Sequence, residues 1–437
     1  MENTIAKQPD LWSTFDEQLS AVPGGTSLHP AVLRNMQRPY VNPWSEEFLA
    51  YYDETLALLK RLYNTTNDVL VMIGPIRIAM DAVVCSLLGP GEKAAFVSVN
   101  GYWSELFTHI ARAHGTDPVI LEEPWGQPID PEKVRKRLAE QQDQNIKALF
   151  VTHVETSTGV ANPVQELGRV AEEQGLLYVV DAGQTLGGSE VLTDDWGVDF
   201  CISGNHKCMS SPAGLSYVSV SQRGWQALEQ RTTPIQGWYS NLLVWRDVWL
   251  GRQSGYFTFP TSLVFGLRAA LDQMFSITLP ELYRRYAVVS KAIRLSVSEM
   301  GLELVVCGRN CPGCDSPGRF CADTVTAIKR PPDISHTDFA GLMHQKYGIS
   351  IAGTYGPLAD KAFRVGPTGL LQLSPRYILN LLCCMGMALR ELGFPGRVEE
   401  ALSVANAQFD ETGQLNRSQI VPACGRGSGP TRKEESA

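Results

Sequence analysis

From Asp68 to Ser221 the sequence repeats one pattern, a short run that is apolar throughout followed by a longer amphipathic stretch. The runs are Val69–Ile73, Ala94–Val99, Pro118–Leu121, Ala148–Thr152, Leu176–Asp181, Phe200–Ser203 and Leu215–Val220. Helix-like segments lie between several of them: Tyr102–His114, Pro131–Gln142 and Pro163–Gln174. A strand apolar at every position has to be covered on both faces, and intervening helices supply that cover. Pro131 and Pro163 stand at helix starts, where a missing N–H costs nothing. The pattern predicts an α/β domain on a mostly parallel sheet with helices on both faces.

Beyond this stretch the character changes. Leu302–Val306, Thr324–Ile328, Ile349–Ala352 and Phe363–Val365 read as strands, and Asp338–Lys346 and Pro375–Leu392 as helices. These make a smaller α+β unit. Residues 1–22 form an N-terminal arm, 23–290 the large domain, 291–407 the small domain and 408–437 a disordered tail rich in Gly, Ser and charge. No internal repeat is visible.

Composition excludes several classes. Hydrophobic residues make up 44% and charged residues 19%, a globular balance. The net charge of −8 has the wrong sign for a binder of nucleic acid. No run approaches the roughly 18 apolar residues of a membrane span, and Met1–Ser20 has neither part of a signal peptide. Most of the ten cysteines are therefore expected to be reduced thiols in a cytoplasmic protein.

Val179-Val180-Asp181-Ala182 places a carboxylate at the C-terminal end of a buried strand, and Ser203-Gly204-Asn205-His206-Lys207 places a lysine just past the end of another. Ligands of open α/β sheets bind at those ends. A lysine paired with a carboxylate suits pyridoxal 5'-phosphate (PLP), which needs an amine for its aldehyde and an anion at its ring nitrogen. The lysine forms the aldimine, is displaced by substrate and then shuttles the proton at Cα. Alone, a strand-end Asp is more often a loop hydrogen-bonder and a loop Lys more often solvated.

Further segments join the pair: Asn100-Gly101-Tyr102-Trp103, Thr152-His153-Val154-Glu155-Thr156-Ser157-Thr158-Gly159-Val160 and Ser211-Pro212-Ala213-Gly214. Taken in order from about Pro23 to about Leu392, the set resembles the class V PLP-dependent aminotransferases of fold type I. The pattern is similar to that of the alanine–glyoxylate/serine–pyruvate and pyridoxamine–pyruvate aminotransferases. The resemblance implies ping-pong transfer of an amino group between an amino acid or amine donor and a 2-oxo acid acceptor. It implies that Trp103 stacks on the pyridine ring and that Thr156 bonds its 3′-oxygen.

The resemblance puts the cofactor phosphate at Gly74-Pro75-Ile76-Arg77, the turn leading into Ile78–Leu88. Relatives carry small polar residues there. Here Pro75 and Ile76 remove donors while Arg77 offers a guanidinium, expected to contact the phosphate directly. His206 adds a donor. The family completes this cup from a second subunit with a Tyr-x-x-Thr segment, matched here by Gly255–Pro260. Thr258 fits it, and Tyr256 stands one residue closer than the pattern asks. The implication is a homodimer with shared active sites.

At the substrate end, Arg364 in Phe363-Arg364-Val365-Gly366 corresponds to the family's carboxylate-binding arginine. Gly25, in Pro23-Gly24-Gly25-Thr26-Ser27, lies in the loop at the mouth of the site. Tyr40, Asn42 and Trp44 follow, without an assignable role from spacing. Pro75 stands where pyridoxamine–pyruvate enzymes carry Glu, which argues against free pyridoxamine as substrate. These departures resemble a specialised-metabolism member of the fungal alkaloid, swainsonine/pipecolate type.

Cys307, Cys311, Cys314 and Cys321 admit a structural zinc site, but a Gly/Pro-rich surface insertion with unliganded thiols is the plainer reading, so no metal is expected. Two other functions compete. A lyase, desulfurase or hydrolase of the same fold is one. The desulfurase branch, though, stacks a His where Trp103 stands and needs a Cys around Ser350–Gly356, where there is none. A scaffold kept only for binding is the other, and the joint presence of Lys207, Asp181, Trp103 and Arg364 speaks against it.

Overall fold

The computed structural model describes residues 18–91, 94–140, 146–253, 257–306 and 319–411. A seven-stranded sheet forms the centre. Its strands are β1 (Asp68–Ile73), β2 (Ala94–Val99), β3 (Val119–Glu122), β4 (Ile146–Thr152), β5 (Leu177–Asp181), β6 (Phe200–Gly204) and β7 (Leu215–Val220), in the spatial order β1-β7-β6-β5-β4-β2-β3. All neighbours are parallel except β7, which runs antiparallel to both β1 and β6. Every residue of β5, β6 and β7 is buried, the polar Asp181, Ser203, Ser216 and Ser219 included.

The expected elements recur with small shifts. Helix α1 (Ile76–Leu87) follows β1 and helix α2 (Tyr102–Ala113) follows β2. Pro131 is the first residue of its helix, whereas Pro163 caps Val164–Glu173 from just outside.

The smaller unit carries a three-stranded antiparallel sheet, Thr326–Lys329, Ala362–Val365 and Ala352–Gly353 in spatial order. Its helices are His336–Tyr347, Pro375–Glu391 and Val398–Glu411. The run expected as one strand over Ile349–Ala352 divides at Ile351. Its first half, Ile349–Ser350, pairs with Leu19–Ser20 of the arm, and its second half with the strand of Arg364. Leu302–Val306 makes only a single bridge, Leu304 to Ile328, with the Val305 N–H on the Ala327 carbonyl. Residues 290 and 291 both lie inside the helix Leu279–Glu299. The last helix runs past residue 408, with Phe409 buried.

Among the described residues no helix is long and apolar enough to cross a membrane, and no group of three or more His, Cys, Asp or Glu could hold a metal ion. Cys307, Cys311 and Cys314 lie outside those residues. Cys321 is half-buried and forms a bridge opposite Val160.

Candidate active site

Six of the seven strands, all but β7, end on the same side of the sheet, and the polar residues gather there. Register places Thr152 of β4 beside Asp181 of β5, and Asp181 beside Ile202 of β6. Asp181 is 7% exposed and its Oδ1 accepts the Gly183 N–H at 2.8 Å. Three residues past β6, Lys207 is 9% exposed, with Nζ 3.4 Å from Thr156 Oγ1. Burial lowers the Lys207 pKa and raises that of Asp181, and the charge of each opposes the shift of the other. A lowered lysine pKa enlarges the fraction of neutral amine, the form that attacks a carbonyl.

Trp103 stands at the start of α2. Its ring centroid lies 5.4 Å from Lys207 Nζ and 4.9 Å from Arg77 Cζ. A carboxylate fixes this helix start. Glu155, fully buried, accepts the N–H groups of Trp103 (3.1 Å) and Ser104 (2.9 Å) on one oxygen, and the N–H (3.0 Å) and hydroxyl (2.7 Å) of Ser157 on the other. An anion at a helix N-terminus is favoured by the unpaired N–H groups and the helix dipole. Gly101 is required by packing, because a Cβ there would lie 2.3 Å from Glu155 Cγ.

The turn after β1 delivers the N-terminus of α1, whose cap residue Pro75 supplies no side-chain hydrogen bond. Gly74 gives its N–H to the Gly214 carbonyl at 2.8 Å and Pro75 has none, so the donors this turn offers are the first N–H groups of α1 and the Arg77 side chain. Arg77 is exposed and faces Trp103. His206 is half-buried, and burial, then Lys207, then Arg77 push its pKa down to about 4, so it is neutral near pH 7.

Several buried polar atoms here find no partner among the described protein atoms: both amide atoms of Asn205, His206 Nδ1 and Trp103 Nε1. A buried polar group left so costs about 1–3 kcal/mol. Four such atoms around one lysine, next to a helix start without a side-chain cap, fit an anionic, hydrogen-bonding cofactor. The residues therefore suit PLP. Lys207 would hold its aldehyde, Asp181 its ring nitrogen, and α1 with Arg77, His206 and Asn205 its phosphate.

Arg364 comes from the small unit and is 5% exposed. Its Nε donates to the Gly353 carbonyl at 2.7 Å and its Nη1 to the Thr156 carbonyl at 3.3 Å. Burial lowers its pKa, opposed by Tyr355 and Glu155, and an arginine remains a cation under such a shift. Thr156 therefore touches both Lys207 and Arg364, one through its hydroxyl and one through its carbonyl. The Gly25 segment packs behind this strand. The Gly366 N–H bonds the Ala21 carbonyl (3.0 Å), and the Thr26 hydroxyl bonds Gln372 Oε1 (3.2 Å).

The sequence-derived residues do not all meet. Lys207, Asp181, Trp103, Thr156, His206, Arg77 and Arg364 gather around one site. Thr258 is exposed, beside the buried Phe259 and the Trp245–Phe257 stack. Tyr256 lies outside the described residues. Trp44 is a packing residue, stacked on Trp249 at 5.4 Å, and Tyr40 is 66% exposed. Sequence reasoning gave no role to Glu155, Asn205 or Tyr355. A lone carboxylate in the polar run 155–158 is the signal that points to Glu155. Tyr355 has none, because its ring partners Tyr102 and Trp103 come from a distant segment.

A sequence model of the Aminotransferase class-V family matches residues 29–301. The chain is 31% identical, over 378 residues, to an uncharacterized aminotransferase of Methanocaldococcus jannaschii, covering 86% of this chain and 94% of that protein. The structure resembles that of ureidoglycine-glyoxylate aminotransferase from Bacillus subtilis, with a TM-score of 0.83 and 27% identity over 90% of this chain and 98% of that one. Pyridoxamine-pyruvate aminotransferase from Mesorhizobium loti has the same fold, with a TM-score of 0.83 at 22% identity, covering 90% of this chain and 97% of that one.

Proposed function

The chain belongs to the class V aminotransferase family and is a PLP-dependent aminotransferase of fold type I, and from that premise we propose that it moves the amino group of an α-amino acid to a small 2-oxo acid, with Lys207 and Arg364 at the two ends of one substrate site. The observation that carries this reading is the sharing of Thr156 between those two side chains. An amine-reactive lysine and a carboxylate-binding cation thus face one short molecule. PLP, when bound, supplies the electron sink that makes the substrate Cα proton acidic. Lys207 removes that proton and returns it. Asp181 holds the ring nitrogen's proton in place. Trp103 covers the flat face and keeps water away. Arg364 orients the α-carboxylate through N–H groups not taken by Gly353 and Thr156. The name of the Bacillus subtilis neighbour makes glyoxylate the first acceptor to test.

Arg364→Lys tests this reading. It is expected to raise the KM of donor and acceptor together, because one site serves both half-reactions. A point charge cannot reproduce two parallel N–H···O bonds. Losing one charge-assisted bond costs about 1.5–3 kcal/mol, roughly 10- to 150-fold in kcat/KM. Steady-state kinetics with each substrate varied in turn reads the effect. A change confined to the donor, or loss of bound PLP, removes Arg364 from the carboxylate site.

We also propose that the enzyme is a homodimer whose partner subunit completes the phosphate site with Thr258. The exposure of that side chain, on a segment anchored by Phe259, supports this. Light scattering is expected to give twice the chain mass, and a fully active monomer would end the proposal. The enzyme's place is the cytoplasm, where Cys85, Cys201 and Cys208, all buried and outside any disulfide, stay reduced; cell fractionation reads this directly.

A further inference from the structure

Three side chains form a layered stack at the mouth of the site. Tyr102 opens α2, Tyr355 lies in the loop between the strands Ala352–Gly353 and Ala362–Val365, and Arg364 sits on the second of those strands. The rings of Tyr102 and Tyr355 are stacked, with centroids 4.4 Å apart and planes 22° apart. The guanidinium carbon of Arg364 lies over the Tyr355 ring, 4.9 Å from its centroid. Trp103 meets both rings edge-on, at 5.2 and 6.1 Å. The loop of Tyr355 is fastened to the large unit on either side. The Thr354 hydroxyl donates to the Ser157 carbonyl at 2.7 Å. Gly356, at φ +52°, lies so close to Trp125 that a Cβ would come within 2.6 Å of the indole. Tyr355 therefore does not hang free at the surface, although it is 36% exposed.

We infer that Tyr355 positions the carboxylate clamp and determines substrate width, fixing the plane of the Arg364 guanidinium and limiting the side chain a clamped substrate can carry. The inference rests on the reading of Arg364 given above. The Gly353 and Thr156 carbonyls hold two of the guanidinium's N–H groups, and the Tyr355 ring covers its face. One edge is left to meet a carboxylate. A substrate that spans Arg364 and Lys207 runs along the wall of Tyr355, Tyr102 and Trp103. The faces of Tyr355 and Trp103 in that wall are already in use. Tyr355 is occupied by Tyr102 and Arg364, and Trp103 faces Arg77 and Lys207. A substrate ring would meet edges rather than open faces. The wall is a steric limit, not a stacking platform, and it selects narrow side chains.

The test uses the full-length, PLP-loaded protein and two carboxylates that cannot turn over, propionate and 3-phenylpropionate, with affinities from calorimetry. Tyr355→Ala is expected to weaken propionate binding about tenfold, or about 1.4 kcal/mol. The same change is expected to leave 3-phenylpropionate binding unchanged or stronger, so the preference shifts about tenfold toward the wide ligand. Tyr355→Phe keeps the ring and is expected to keep the wild-type preference. Retention of PLP by each variant verifies that the site is folded. The inference is overturned if Tyr355→Ala affects both ligands equally or neither. It is equally overturned if Tyr355→Phe behaves like Tyr355→Ala. If wild-type protein binds neither carboxylate, the clamp reading of Arg364 fails and takes this inference with it. If wild-type binding is weakened by Arg364→Lys while Tyr355→Ala preserves the preference, only the role of Tyr355 is lost.

Discussion

Lys207→Ala is expected to abolish turnover while leaving the fold intact. On the proposed reading the lysine serves as carbonyl-reactive amine and as proton carrier at the substrate Cα, and its Nζ is the amine that meets Thr156 and the face of Trp103. Positioned acid–base catalysis alone contributes about 10²–10⁴-fold, and the lost amine adds to that, so a drop in kcat of at least about 10³-fold follows. Folding survives because the local backbone is held independently of the side chain. The Ser210 N–H bonds the Lys207 carbonyl at 2.9 Å, and β6 is paired on both sides. The substitution also removes a buried charge that burial already disfavours. Rate measurements beside a circular dichroism melt separate the two effects. Turnover within tenfold of wild type would remove Lys207 from the chemistry.

Asp181→Asn carries the second-largest effect. The amide has nearly the same shape and its oxygen can still accept the Gly183 N–H, so what changes is the charge. Breaking a buried charge pair by removing one partner costs about 3–5 kcal/mol, and each 1.36 kcal/mol is about tenfold in rate. A loss of two to three and a half orders of magnitude in kcat is expected. The carboxylate also raises the Lys207 pKa against burial, so its removal should lower that pKa further. A pH profile of the apo-protein's reaction with an amine-specific reagent would show the limb move to lower pH. An activity loss below about fivefold would mean that Asp181 is a structural residue of β5.

Both residues were legible in the sequence because each follows a strand that the sequence marks by itself. The runs Leu176–Val180 and Phe200–Ile202 are apolar at every position, so their ends are visible without knowledge of their neighbours. Arg364 was legible only through the family resemblance, as an arginine in a short strand followed by Gly366. The three cysteines at 307, 311 and 314 fall outside the described residues.

Other features had no local mark. Glu155 was visible only as one polar residue in a polar run. Its role appears when α2 brings the Trp103 and Ser104 N–H groups onto its carboxylate. The run at Ile349–Ala352 gave one strand in sequence and two in space, because its halves pair with Leu19–Ser20 and with Ala362–Val365.

The sequence by itself determined the elements and the chemistry-bearing residues. Apolar periodicity is a property of neighbours along the chain, and a strand buried on both faces needs no partner's identity to be recognised. Tertiary structure alone decided which of those residues share a site and how each is held. Tyr102 lies far in sequence from Tyr355 and Arg364 yet forms one stack with them, and Thr156 reaches Lys207 and Arg364 with different atoms. Such contacts arise from packing two units against each other, and short-range pattern carries no record of that packing.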